Sequence, residues 1–169
     1  MEKHRILPGK VTAQVTGESN LGEEVFGPGE VVQLRAVMVR IAPEAISSLY
    51  DLLLGWREHV NKLISDLSRD VNDHSVWGAH DLVAALVIRD HVEEGSKFLD
   101  GPLRGMVDRF VAKIDKDFEH FTELDGQGSL RRVDGRNVLP DSWWWRRVPA
   151  SGPVHEELMC YYGHSHRNG

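Results

Sequence analysis

The chain is short of most things that announce a function, and each shortage excludes something. It holds one cysteine, Cys160, among 169 residues, so no internal disulfide framework can form. No stretch approaches the roughly 20 apolar residues that a helix needs to cross a bilayer. The opening Met1-Glu2-Lys3-His4-Arg5 is charged and leads to Pro8-Gly9, which predicts no signal-peptide core. No Asn-x-Ser/Thr sequon occurs. These absences predict a reducing, cytoplasmic setting and no membrane partner. The phosphate-binding Gly-x4-Gly-Lys-Ser/Thr loop, Gly-x-Gly-x-x-Gly, Cys-x-x-Cys, His-Glu-x-x-His and Gly-x-Ser-x-Gly are missing too. No catalytic residue is assigned, and the balance tilts away from an enzyme.

Positive charge is also scarce. The net charge is −6, with 20 Lys+Arg against 26 Asp+Glu, which argues against bulk nucleic-acid binding. The distribution is uneven: residues 1–128 carry −8, residues 129–149 carry +3 and residues 150–169 carry −1. The composition is otherwise that of an ordinary globular protein, 41% hydrophobic and 27% charged.

What is present is helical periodicity. Ile46, Leu49, Leu53, Trp56, Val60, Leu63 and Leu67 step by three and four, an a/d pattern that keeps one stripe on a neighbour. Pro43 and Glu44 suit a first helical turn, with Ile41 and Ile46 as a hydrophobic staple. Arg57, Glu58, Lys62, Asp66 and Arg69 fill the outer face. A second helix is predicted from Val76 to Phe98, capped by Asp73 or Ser75, apolar on all sides over residues 82–88. A third runs from Pro102 to Glu123, with Leu103, Val107, Phe110, Ile114, Phe118 and Phe121 on one face. Short connections make successive helices antiparallel neighbours.

The expected fold is α+β and mainly α: an up-down-up three-helix bundle over residues 43–124 within a single domain, 1–169. An N-terminal arm and β-hairpin occupy residues 1–41. Its strands are predicted at 10–16 and 31–41, with residues 17–24 as a loop and Gly27-Pro28-Gly29 as a turn. A Trp/Arg-rich segment of short β and irregular structure covers 125–162, and residues 163–169 form a tail. Within that segment Leu130–Val133 reads as a short strand and Asp134-Gly135 as a tight turn. Residues 157–162 read as a strand or one helical turn.

Trp143-Trp144-Trp145-Arg146-Arg147 is the most unusual local feature. If residues 142–148 are extended, Trp143 and Trp145 point one way and Trp144 the other. With Arg131 and Arg132 nearby, this composition suits a partner-binding hot spot, and less well a nucleobase-stacking track. The alternative is that all three indoles pack inside, with their N–H groups bonded and the arginines closed over acidic helices.

A divalent metal is the other candidate. In an antiparallel hairpin turning near residue 100, His80 lies level with His120. Asp117 and His120 share an (i, i+3) spacing that lets both reach one ion, and Asp66 or Asp70 could join. The alternative places Asp117 and His120 on a solvated flank, because Phe118 and Phe121 mark the core face. His164 and His166 read as tail residues and Cys160 as a small hydrophobe. Residues 77–86, Trp-Gly-Ala-His-Asp-Leu-Val-Ala-Ala-Leu, faintly resemble the start of the second helix in DinB-like metal-dependent transferase bundles. That family has a metal histidine where this chain has Ala84-Ala85, so no site is carried over.

The leading expectation is therefore a non-catalytic protein-protein interaction module (adaptor, inhibitor or immunity-type factor), with a protein partner or homo-oligomer and no cofactor. The alternatives are a metal-dependent hydrolase or transferase with its site between the second and third helices, and a nucleic-acid-associated accessory protein.

Overall fold

The computed structural model describes residues 25–163, with no side chains described beyond Cys160. The strand expected over 10–16, the loop over 17–24 and residues 164–169 lie outside them. Among the described residues the architecture is α+β and mainly helical, with six α-helices and two small two-stranded sheets. None of these helices is long and apolar enough to cross a membrane.

The first element corrects the expected strand over 31–41. Pro28–Ala36 is a helix, α1, with Pro28 in its first turn where a missing N–H costs nothing. Val31 and Leu34, three apart, turn to the core, and Leu34 is fully buried. Packing thus overrides the β-branched composition, whose strand preference depends on context. Only Met38–Ala42 is extended. This strand, β1, pairs antiparallel with β2, Ala45–Ser48, around a turn at Pro43-Glu44.

Pro43 therefore closes a hairpin and does not start a helix. Helix α2 runs Leu49–Asp66. Its cap is Ser48, whose Oγ accepts the Asp51 N–H at 3.1 Å and donates to the Asp51 carboxylate at 2.6 Å. Ile41 and Ile46, expected as a staple, are exposed on the hairpin. The stripe holds inside the helix: Leu49, Leu53, Trp56, Val60 and Leu63 are each at most 2% exposed.

Helix α3, Ala79–Ser96, runs back along α2. A Cβ on Gly55 would touch Ile88, and one on Gly95 would meet Leu49. At the other end Asp66, expected on the outer face, is 2% exposed. It takes Lys62 Nζ at 2.6 Å and the Trp77 N–H at 3.0 Å, so its burial is compensated. The start of α3 lies three residues later than expected. Two of its unpaired N–H groups are satisfied by carboxylates: Gly78 donates to Asp81 at 2.8 Å and Ala79 to Glu157 at 2.6 Å.

Helix α4, Gly101–Phe121, buries Val107, Phe110, Ile114 and Phe118 as its spacing predicts. Trp56 and Phe118 join it to α2 with ring centroids 5.4 Å apart, and Phe26 meets Phe110 at 5.2 Å. The C-terminal segment is more helical than expected. After β3, Thr122–Leu124, comes helix α5, Ser129–Asp134, in place of the predicted strand. Residues Trp143–Arg146 form a 3-10 turn, followed by β4, Arg147–Pro149, which pairs antiparallel with β3. Helix α6, Pro153–Gly163, closes the described chain.

Candidate functional site

The tryptophan run is not extended, and that changes where its side chains go. A 3-10 turn has three residues per turn, so neighbouring side chains diverge by about 120° rather than alternating. Trp144 and Trp145 can then flank one acceptor, Asp90 on α3. The Trp144 indole N–H donates to Asp90 Oδ1 at 2.8 Å, and that of Trp145 to the two carboxylate oxygens at 3.0 and 2.9 Å. Both residues are buried, while Trp143 is half-buried with its ring 6.3 Å from Phe118. The expected split of the three indoles between opposite faces is therefore overturned.

The arginines around them divide into two groups. Arg89 is buried; it lies over the Trp144 ring at 4.1 Å and bonds both oxygens of Asp115 on α4. Asp115 also accepts the Trp56 indole N–H at 3.0 Å. Arg147 donates to Thr122 Oγ1 at 2.9 Å, to the Thr122 carbonyl at 2.6 Å and to the Glu119 carbonyl at 3.2 Å. It thereby satisfies backbone acceptors at the end of α4. These two side chains serve the scaffold. Arg131, Arg132 and Arg146 are exposed.

Two adjoining hollows lie beside this cluster. The first is an open cleft of about 580 Å³, with Leu124, Val138, Leu139, Pro140 and Trp145 among its apolar walls and Arg131 and Arg146 among its polar ones. Leu124 and Val138 are 70% and 81% exposed, so this apolar surface faces solvent. The second hollow, about 550 Å³, is lined by Arg131, Arg132 and Arg136 and shares Gly128, Arg131 and Asn137 with the first.

The local chemistry holds these walls in place. Asp125 accepts the Ser129 N–H and hydroxyl through Oδ1, at 2.9 and 2.7 Å, and the Leu130 N–H through Oδ2 at 3.0 Å, which anchors α5. Gly128 and Gly135 bracket α5 with φ of +72° and +76°, a backbone region that favours glycine. Arg136 pairs with Asp134 and lies 4.8 Å over the Trp145 ring. Hydrogen bonds from Arg136 hold the Asp134 carboxyl below its ordinary value, against the opposing effect of burial, and Asp134 in turn raises Arg136. Arg146 pairs with Asp141 on the cleft rim.

Of the expected metal ligands, Asp66 is buried and bonded to Lys62 and the Trp77 N–H, and the others are on the surface. His80, Asp117 and His120 are exposed, and the His120 Nδ1 lies 3.3 Å from the Lys116 carbonyl of its own helix. Phe118 and Phe121 face the core, so the residues beside them turn outward. Among the described residues no group of three or more His, Cys, Asp or Glu is placed to hold one ion.

The sequence reading missed Asp90, Arg89 and Asp115, and the cleft wall at 138–140. An available signal was the tryptophan pair itself, since buried indoles demand acceptors. No family model matches the chain, and neither a curated protein nor a solved structure matches it.

Proposed function

We propose that the chain is a non-catalytic protein-protein interaction module, of the adaptor, inhibitor or immunity kind, acting in the cytoplasm. In this reading an up-down-up arrangement of α2, α3 and α4 is the scaffold. The contact surface is the cleft that the tryptophan run builds, and the run itself is backing. The observation that supports it is an apolar cleft whose Leu124 and Val138 stand 70% and 81% exposed above a buried, bonded Trp145. Large apolar groups held in the open beside arginines are characteristic of contact sites. The partner is another protein or a second copy of the chain.

Affinity capture from cells that make the protein tests this, with wild type compared to Val138→Asp and to Val32→Asp on α1, where the side chain is also exposed. A partner retained by wild type and Val32→Asp but lost by Val138→Asp is the expected result. A partner retained equally by all three would contradict it. Sedimentation of the same variants separates a heterologous partner from self-association.

A further inference from the structure

We propose that the cleft takes an extended peptide segment that is both acidic and apolar, supplied by a partner protein. The inference rests on the interaction reading above and names the chemistry of what binds. An apolar side chain seats against Leu124, Val138 and the Trp145 edge of the cleft. A carboxylate flanking it meets Arg131, which lines both hollows.

Charge carries the choice of occupant. The two hollows together are lined by four arginines, Arg131, Arg132, Arg136 and Arg146, against two aspartates, Asp125 and Asp141. Both aspartates are engaged: Asp125 accepts three hydrogen bonds at the start of α5, and Asp141 pairs with Arg146. Arg136 is committed to Asp134 and to the Trp145 face. Arg131 differs. It lines both hollows, and its guanidinium has no carboxylate partner among the described residues. A cation without a carboxylate partner at the junction of an apolar cleft and a basic hollow is complementary to an anion carried on an apolar chain. The local excess of arginine stands out against a chain of net charge −6, so an acidic segment is favoured at this patch over the acidic remainder of the chain. A nucleic acid would present many phosphates to a patch of four arginines, two of them already paired with aspartates, and would leave the apolar wall unused.

The experiment is selection of random 12-residue displayed peptides on the immobilised full chain. Anisotropy titrations of the enriched peptides and of a fluorescent oligo-dT probe follow. The enriched peptides are expected to carry Asp or Glu beside an aliphatic or aromatic residue. Their affinity should fall roughly tenfold or more on Arg131→Glu, less on Arg131→Gln, and drop with added salt. Val138→Asp should also abolish binding, whereas Lys113→Glu on α4 should not. Circular dichroism of each variant separates lost binding from lost folding. Peptides that need Val138 but are neutral or basic, or are indifferent to Arg131→Glu, would overturn this inference and leave the interaction reading standing. An oligo-dT probe bound more tightly than any peptide would overturn it too. No enrichment, or binding insensitive to Val138→Asp, would overturn both.

Discussion

Arg89 on α3 holds both carboxylate oxygens of Asp115 on α4, through Nε at 3.0 Å and a terminal nitrogen at 2.9 Å. The same carboxylate accepts the Trp56 N–H from α2, so three helices meet at one acid. The two side chains are 6% and 14% exposed. Arg89 also pairs with the more exposed Glu93 at 3.2 Å. Asp115→Ala should cost about 2–4 kcal/mol in urea unfolding, because the buried guanidinium loses its bidentate partner and keeps only Glu93. Arg89→Met combined with Asp115→Leu should cost less than the sum of the single losses. Strictly additive losses would show that the pair does not act as a unit.

Asp90 sets the position of the cleft wall by accepting from two adjacent indoles. Asp90→Ala should lower stability by about 1.5–3 kcal/mol, the range for hydrogen bonds to a charged group. Of the five indole N–H resonances, those of Trp144 and Trp145 should move most. Asp90→Asn keeps one acceptor oxygen and should recover part of the loss. Unchanged resonances in Asp90→Ala would remove the acid from the account.

Two glycines in helices should respond in opposite directions. A Cβ at Gly95 would lie 2.8 Å from Val39 Cγ2 and 2.9 Å from Leu49 Cδ1, where α3 meets the hairpin and the start of α2. Gly95→Ala should therefore destabilise by about 1–3 kcal/mol through overpacking, despite its gain in helix propensity. At Gly105 on α4 the nearest atom is an Arg109 terminal nitrogen at 3.5 Å. Gly105→Ala should stabilise by about 0.5–1 kcal/mol. Thermal or urea midpoints of the two variants decide the matter by their sign.

Acid should loosen the cleft through Asp134. Its carboxyl is held below the ordinary value in the folded state by Arg136. A depressed folded value means that the contribution is present above the unfolded value, about 4, and is lost as pH falls through the lower folded one. Wild type should lose stability more steeply than Asp134→Asn below about pH 4, with the Trp145 indole reporting the change. Parallel pH profiles would show that the pair contributes nothing.

The core helices are legible in the sequence because their apolar steps are long and regular. Leu49 to Leu63 and Val107 to Phe118 are buried as their spacing predicts. Their boundaries are less legible. At the start of α2, Pro43 outweighs Ser48-x-x-Asp51 in a sequence reading, yet the serine is the cap. Val31 and Val32 favour a strand locally, yet the stretch is helical, with Pro28 in its first turn and Val31 and Leu34 packed against the core. The candidate site is legible in part. Arg131, Arg146 and Trp145 line the cleft, whereas Trp143, Trp144 and Arg147 belong to the scaffold. The difference turns on a 3-10 turn whose partner, Asp90, lies 54 residues away from Trp144, and no local pattern carries that pairing. Residues 138–140 line the same cleft as Trp145 without any local pattern that pairs the two stretches.

The most direct test of the cleft is site-specific photo-crosslinking in cells that make the protein. Benzoylphenylalanine is placed at Val138, with a comparison at Val32 on α1; both native side chains are exposed. A discrete adduct from position 138, absent from position 32 and lost when Arg131→Glu is added, is the predicted result. The same adducts from both positions, or none from position 138, would contradict the cleft as the contact surface.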